Sequence, residues 1–156
     1  MYNEFVGKHI SYLHRYARRY YNKELEPYGF GGAQLRLLMP LYEMDGISQE
    51  KLAQTIKLDK TTIARTIKKL IDNGYVSREI DEKDRRSYRI FLTEKGKAIE
   101  PEMMNIFLKW EENLLSKFED EERKYVLKIV EMMHENASEM IQDEKCNHTL
   151  QNSLNL

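Results

Sequence analysis

The chain has one cysteine, three prolines, one tryptophan and no long apolar run. Each scarcity excludes something. Cys146 has no partner for an intrachain disulfide, which removes the disulfide-stapled class of secreted domains and fits a reducing cytoplasm. No stretch of eighteen apolar residues is present to span a bilayer, and Met1-Tyr2-Asn3-Glu4-Phe5 lacks the basic and apolar pattern of a secretion signal. There is no Walker loop, dinucleotide fingerprint, G-x-S-x-G or zinc-hydrolase pattern. Gly29-Phe30-Gly31-Gly32 is glycine-rich but joins two helical patterns and follows no strand, so nothing points to an enzyme. His9, His14, His134 and His148 contain no H-x3-H pair, and neither a metal nor a cofactor is expected.

What is there is a 156-residue chain, 41% hydrophobic and 33% charged. That suffices for one well-packed domain or a small module with helical extensions. The net charge of −1 conceals a strong asymmetry. Residues 57–97 carry twelve Lys/Arg against seven Asp/Glu, a net of +5, whereas residues 100–144 carry five against thirteen, a net of −8. One part of the molecule is therefore suited to a polyanion and another repels it.

Hydrophobic periodicity divides the chain into mostly helical segments. From Phe5 to Glu26, Val6, Ile10, Leu13, Ala17, Tyr20/Tyr21 and Leu25 recur at helical spacing. A second stripe of Phe5, His9, Tyr12, Tyr16 and Tyr20 runs beside them. A helix apolar over this much of its circumference is expected to be buried on two sides. Pro27 to Gly32 breaks it, and a second helix is expected over Ala33–Met44, with a kink or early break at Pro40. Asp45-Gly46 reads as a turn, and Ser48 as the N-cap of a short helix carrying Leu52, Ala53 and Ile56.

Asp59 caps the next helix, Lys60 to Asn73, which Asn73-Gly74 stops in a left-handed turn. Val76, Arg78 and Ile80 alternate, as do Tyr88, Ile90 and Leu92, predicting a hairpin with a charged tip at Asp81–Arg86. Thr93 caps a long helix to Phe118, in which Pro101 introduces a bend. A last helix begins near the Glu119–Glu122 acidic run, where carboxylates suit a helix N-terminus. Residues 145–156 have no pattern and are expected to be a disordered tail.

The helix from Lys60 is two-faced. Ile63, Ile67, Leu70 and Ile71 gather on one side, while Thr61, Thr62, Arg65, Lys68 and Lys69 fall on the other. Arg or Lys donates to guanine O6 and N7, and Thr offers a hydroxyl and a methyl, so this face suits a major groove. Recognition helices contact bases through their N-terminal half, which makes Arg65 the base reader and Lys68 and Lys69 backbone anchors. The order short capped helix, turn, helix, hairpin is that of a winged helix-turn-helix. Arg85 and Arg86 at the tip suit a minor groove, with Asp84 as a brace that holds an Arg extended through a charge-assisted bond.

The run Asp81-Glu82-Lys83-Asp84-Arg85-Arg86-Ser87 followed by Leu92-Thr93-Glu94-Lys95-Gly96 resembles the wing signature of the MarR family of transcriptional regulators. Thr61-Thr62-Ile63-Ala64-Arg65, Leu70 to Arg78 and Gly46 to Ala53 are similar to the same family's helix-turn-helix. The resemblance spans about Ile10 to Met140. It implies a mainly α fold with a small β-hairpin wing (α+β): a winged helix-turn-helix module at residues 33–96, flanked by helical dimerisation regions at residues 1–32 and 97–144. It also implies an obligate homodimer on a pseudo-palindromic double-stranded DNA operator, most often as a repressor, with Asp84 and Arg86 as the key wing pair. Candidate DNA contacts are Ser48, Gln49, Lys60, Thr61, Thr62, Arg65, Lys68, Lys69, Arg85 and Arg86.

Many relatives release DNA when a small aromatic or phenolic acid binds between the dimer helices and the winged module. The matching region here is Tyr12, Arg15, Tyr16, Met39 and Tyr42. Stacked rings with one Arg suit an apolar anion, and they equally suit dimer packing with a snorkelling Arg. The rival functional class is a winged helix that binds another protein rather than an operator. Basic side chains on both the exposed helix face and the wing argue for DNA.

Overall fold

A computed structural model describes residues 4–82 and 84–154, with side chains described as far as Ile141. In chain order the elements are α1 (Val6–Leu25), a 3-10 turn (Glu26–Tyr28), α2 (Gly32–Glu43), β1 (Ile47–Ser48), α3 (Gln49–Ile56) and α4 (Lys60–Asp72). They continue with β2 (Val76–Ile80), β3 (Tyr88–Leu92), α5 (Glu94–Ala98), α6 (Glu100–Leu114) and α7 (Asp120–Leu154). The fold is mainly helical with one small antiparallel sheet. The chain divides into two compact units, one running to Glu111 and one starting at Glu112.

The first unit is organised by leucines. Leu35, Leu37, Leu38 and Leu41 of α2 meet Leu52 of α3, Ile63, Ile67 and Leu70 of α4, and Val76, Ile90 and Leu92 of the sheet. Fully burying one such side chain contributes about 1.5–3 kcal/mol, so this cluster dominates the module's stability. Leu25, Phe30, Tyr75, Met103 and Ile106 complete it. The C-terminal half of α1 and the start of α6 therefore belong to the same core as the winged module, which the expected boundaries at residues 32 and 97 had separated.

The hairpin acquires a third strand. Ile47 pairs with Ile90 and Ser48 with Arg89, giving the antiparallel order β1-β3-β2. In β2 and β3, Val76 faces Leu92, Arg78 faces Ile90 and Ile80 faces Tyr88. The sequence reading assigns no strand to Ile47-Ser48, because a single apolar residue carries no period. Asp45 joins the turn to the sheet: its Oδ1 accepts from the Leu92 N–H at 2.7 Å and from the Gly46 N–H at 3.0 Å.

Two helical expectations are corrected. α2 does not break at Pro40; it continues to Glu43, and the Pro40 carbonyl accepts from the Met44 N–H at 2.9 Å. Leu37, Leu38 and Leu41 are buried on both sides of the proline, and their burial outweighs one missing donor. The long helix expected from Thr93 to Phe118 is instead α5, a break at Ile99, and α6, which stops at Leu114. Pro101, the second residue of α6, has no N–H to give, so a helix start tolerates it where a helix interior would not.

α1 is not buried on two sides within one chain. Its C-terminal half is anchored, with the Tyr20 hydroxyl donating to the Ile106 carbonyl at 3.1 Å and the Tyr20 ring 5.3 Å from Trp110. Its N-terminal half leaves Val6, Ile10 and Leu13 56%, 48% and 45% exposed. In the second unit, α7 is one helix that carries Tyr125, Leu127, Ile129 and Val130 exposed. It continues through residues 145–154, where a disordered tail was expected; the stretch contains no Gly or Pro to stop it. Residues 155 and 156 lie outside the described residues.

Among the glycines, Gly96 has the least room for a side chain. A Cβ there would overlap the Tyr75 carbonyl oxygen and press on Leu92 at 3.3 Å. The Gly96 carbonyl also accepts the Tyr42 hydroxyl at 3.2 Å. Gly96→Ala is expected to cost about 1–3 kcal/mol through overpacking, read as a lower midpoint of urea unfolding.

Candidate nucleic-acid interface

The helix-turn-helix is set by three caps. The Ser48 hydroxyl accepts from the Lys51 N–H at 3.1 Å and starts α3. Lys57 ends it in the left-handed conformation (φ 52), and the Leu58 N–H returns to the Ala53 carbonyl at 3.1 Å. Asp59 Oδ1 then accepts from the Thr62 N–H at 2.9 Å and starts α4. The Thr62 hydroxyl and N–H together hold the Asp59 carboxyl below its usual range, so the cap stays charged at the positive end of the helix.

With Ile63, Thr66, Ile67 and Leu70 buried, α4 presents its opposite face to solvent. Thr61, Arg65 and Lys68 lie along the middle of that face and are exposed, and Lys60 is exposed at its start. Thr62 sits on the flank, half-buried, with its N–H in the cap and its carbonyl accepting the Thr66 hydroxyl at 2.8 Å. Lys68 makes an exposed ion pair with Asp72 at 3.0 Å, an i,i+4 contact worth only about 0.3–0.5 kcal/mol. A phosphate can displace such a weak partner. Lys69, two turns after Thr62, is exposed on the same flank and lines an open cavity of about 680 Å³ together with Lys23, Phe30 and Gly31.

At the start of α3, Ser48 is committed to its cap, which leaves its hydroxyl proton for an outside acceptor. The neighbouring Gln49 has its Oε1 buried without a hydrogen-bond partner. At the wing, Arg85 and Arg86 are both exposed. Asp84 braces the tip differently from the expectation. Its Oδ1 accepts from the Arg86 backbone N–H at 3.0 Å, and its carbonyl accepts from the Ser87 N–H and hydroxyl at 2.9 and 3.0 Å. Among the described residues Asp84 makes no ion pair with either Arg. The short Asp side chain closes a local turn on the backbone, so both guanidinium groups are left to project. Lys83, at the centre of the tip, lies outside the described residues.

The described contacts divide the five candidate effector residues into two groups. Arg15 lies over the Tyr12 and Tyr16 rings, 5.0 and 5.9 Å from their centroids, on the exposed part of α1. Met39 and Tyr42 pack on the leucine core instead. Burial, then Glu100 and Glu102, push the Tyr42 phenol well above its ordinary range, so it remains a neutral donor to Gly96. None of the five lines the cavity beside Lys69.

Two features were missed from the sequence. Asp45, read as a turn residue, ties that turn to β3. Arg78 stacks on Tyr88, its guanidinium carbon 4.3 Å from the ring centroid. The alternation that defined β2 and β3 already placed both residues on one face; what sequence did not supply was the register. Among the described residues no cluster of three metal-binding side chains occurs, and no helix is long and apolar enough to cross a membrane.

Comparison with known proteins agrees with this geometry. The MarR family profile matches residues 32–88, from the start of α2 to the wing. The chain is 36% identical over 115 residues to YybA, an uncharacterized HTH-type transcriptional regulator of Bacillus subtilis (strain 168), covering 74% of this chain and 77% of that one. The crystal structure of a MarR transcriptional regulator from Methanosarcina mazei Go1 superposes with a TM-score of 0.80 at 53% identity, over 88% of this chain and 99% of the other. The regulator SlyA superposes with a TM-score of 0.81 at 30% identity, over 86% and 94%. The chain belongs to the MarR family of transcriptional regulators, and its winged helix is a DNA-binding one.

Proposed function

We propose that the protein is a homodimeric repressor that binds a pseudo-palindromic operator, reads bases through Arg65 and Thr61, and holds the backbone with Lys60, Lys68 and Lys69. The observation that carries this reading is the exposed Thr61–Arg65–Lys68 row. It is backed by a buried apolar stripe and bounded by a charged cap, so the side chains are presented from a rigid element. Ser48 and Gln49 add contacts from the start of α3, and Thr62 adds one from the flank of α4. Arg85 and Arg86 reach a flanking minor groove from a tip whose backbone Asp84 closes.

Dimerisation is supported by the apolar residues that one chain leaves uncovered on α1 and α7. Members of this family function as dimers, and a second copy is the occupant that suits a self-complementary apolar face. Two modules related by a two-fold axis expect half-sites roughly 34 Å apart, about one helical turn. Repression follows from occupancy of promoter DNA. An aromatic-acid effector at Tyr12, Arg15, Tyr16, Met39 and Tyr42 is not included. The Arg15 stack on two exposed rings suits an interface between copies, and Tyr42 is engaged with Gly96.

The tests use a duplex enriched from a random-sequence pool by the wild-type protein. Arg65→Ala should cost about 1–3 kcal/mol and relax base preference at one position per half-site. Lys69→Ala should weaken all duplexes alike and reduce the salt slope by about one. Unchanged binding of both variants across a salt series would remove α4 from the groove and favour a protein-binding module. Arg86→Ala should lose affinity mainly on duplexes with A·T-rich flanks, where a narrow minor groove attracts Arg. An equal loss on G·C-rich flanks would mean that Arg86 supplies only charge. Leu13→Glu should shift the protein toward monomer in sedimentation equilibrium; a dimer unaffected by this charge would place the interface elsewhere.

A further inference from the structure

The two faces of the wing shank differ in a way the tip does not explain. On one face Arg89 stands opposite Glu79 in the register and lies 3.7 Å from the Asp81 carboxylate, so its charge is balanced locally. On the other face Arg78 has no ion pair among the described residues. Its guanidinium carbon lies over the Tyr88 ring instead, 4.3 Å from the centroid, and Ile80, cross-strand from Tyr88, is 59% exposed. Val76, Ile90 and Leu92 bury the root of that same face, so the outer part continues the core surface outward as an exposed aromatic and aliphatic strip with one cation.

Cation–π attraction holds a guanidinium over a ring without using its N–H donors, which stay available to an outside acceptor. A phosphate oxygen is the acceptor that such donors fit, and a deoxyribose edge is what an adjacent Ile and Tyr fit. We propose that Arg78, positioned by Tyr88, is a sugar–phosphate contact of the wing shank, clamping the DNA strand that borders the groove entered by the tip. Tyr88 is a positioning residue, Ile80 packs on the sugar, and Arg89 is excluded by its own carboxylates. The proposal rests on the reading that α4 and the wing tip bind DNA. It adds a contact that depends on neither Arg65 nor Arg86.

The test is fluorescence anisotropy with the selected duplex over a salt series, with thermal unfolding of each variant as a folding control. Arg78→Ala should weaken binding about 5–20-fold near 0.1 M salt and reduce the salt slope by about one. Tyr88→Ala should give a smaller loss, Tyr88→Phe should retain binding, and the double variant R78A/Y88A should lose little more than R78A alone. Arg89→Ala should change affinity less than about twofold, as expected for a locally paired surface charge. If Arg78→Ala binds like wild type while Arg65→Ala and Arg86→Ala are impaired, the shank contact is wrong and the groove reading stands. If all three bind like wild type, the groove reading falls with it. A Tyr88→Ala loss that persists undiminished in the R78A background would overturn the positioning role.

Discussion

The burial of one side of α4 is the constraint from which the rest follows. Ile63, Ile67 and Leu70 are inserted among the leucines of α2, Leu52 and the root of the sheet. Because a helix cannot turn on its axis without withdrawing all three, the opposite face is fixed as firmly as the core. Thr61, Arg65 and Lys68 are therefore displayed by packing that they do not share. Asp59 at one end and Gly74, with φ 74, at the other fix where that display begins and stops. The wing is tied to the same core through Val76, Ile90 and Leu92. Helix face and hairpin root thus share one core.

Charge is arranged on this frame locally and not only in bulk. The chain as a whole is nearly neutral, yet each cation near the proposed groove has a distinct standing. Arg65 and Lys60 are exposed, Lys68 is held loosely by Asp72, and Arg89 is balanced by Asp81. Arg78 is held by a ring that brings no opposing charge. Asp84 acts on backbone, and Asp81 and Glu79 lie on the face where Arg89 lies. These carboxylates are thereby kept from opposing phosphate at Arg78 and the tip arginines.

The helix-turn-helix was legible because each of its signals is local. Ser48, Asp59 and Asn73-Gly74 announce helix ends within four residues, and alternation alone outlines β2 and β3. What was not legible depends on distant partners. β1 exists because Ile47 meets Ile90, forty-three positions away, and the role of Asp45 exists because Leu92 offers it an N–H. Pro40 suggested a break that neighbouring leucines prevent. Pro101 suggested a bend where the structure has a full break at Ile99. Asp84 was expected to hold an Arg side chain, whereas its carboxylate accepts from the Arg86 backbone N–H, since sequence names a carboxylate without naming its donor. The exposed apolar residues of α1 read as two-sided burial because a single sequence does not say whether its cover comes from the same chain.

The central claim is that two copies of the α4 face read duplex DNA in successive major grooves while the wings reach the flanks. Hydroxyl-radical footprinting combined with guanine-N7 methylation interference on the selected duplex tests it most directly. The account predicts two regions of N7 interference with their centres about one helical turn apart, bordered by sugar protection where the wings lie. A single protected region, or protection without any N7 interference at guanines inside it, would contradict the account.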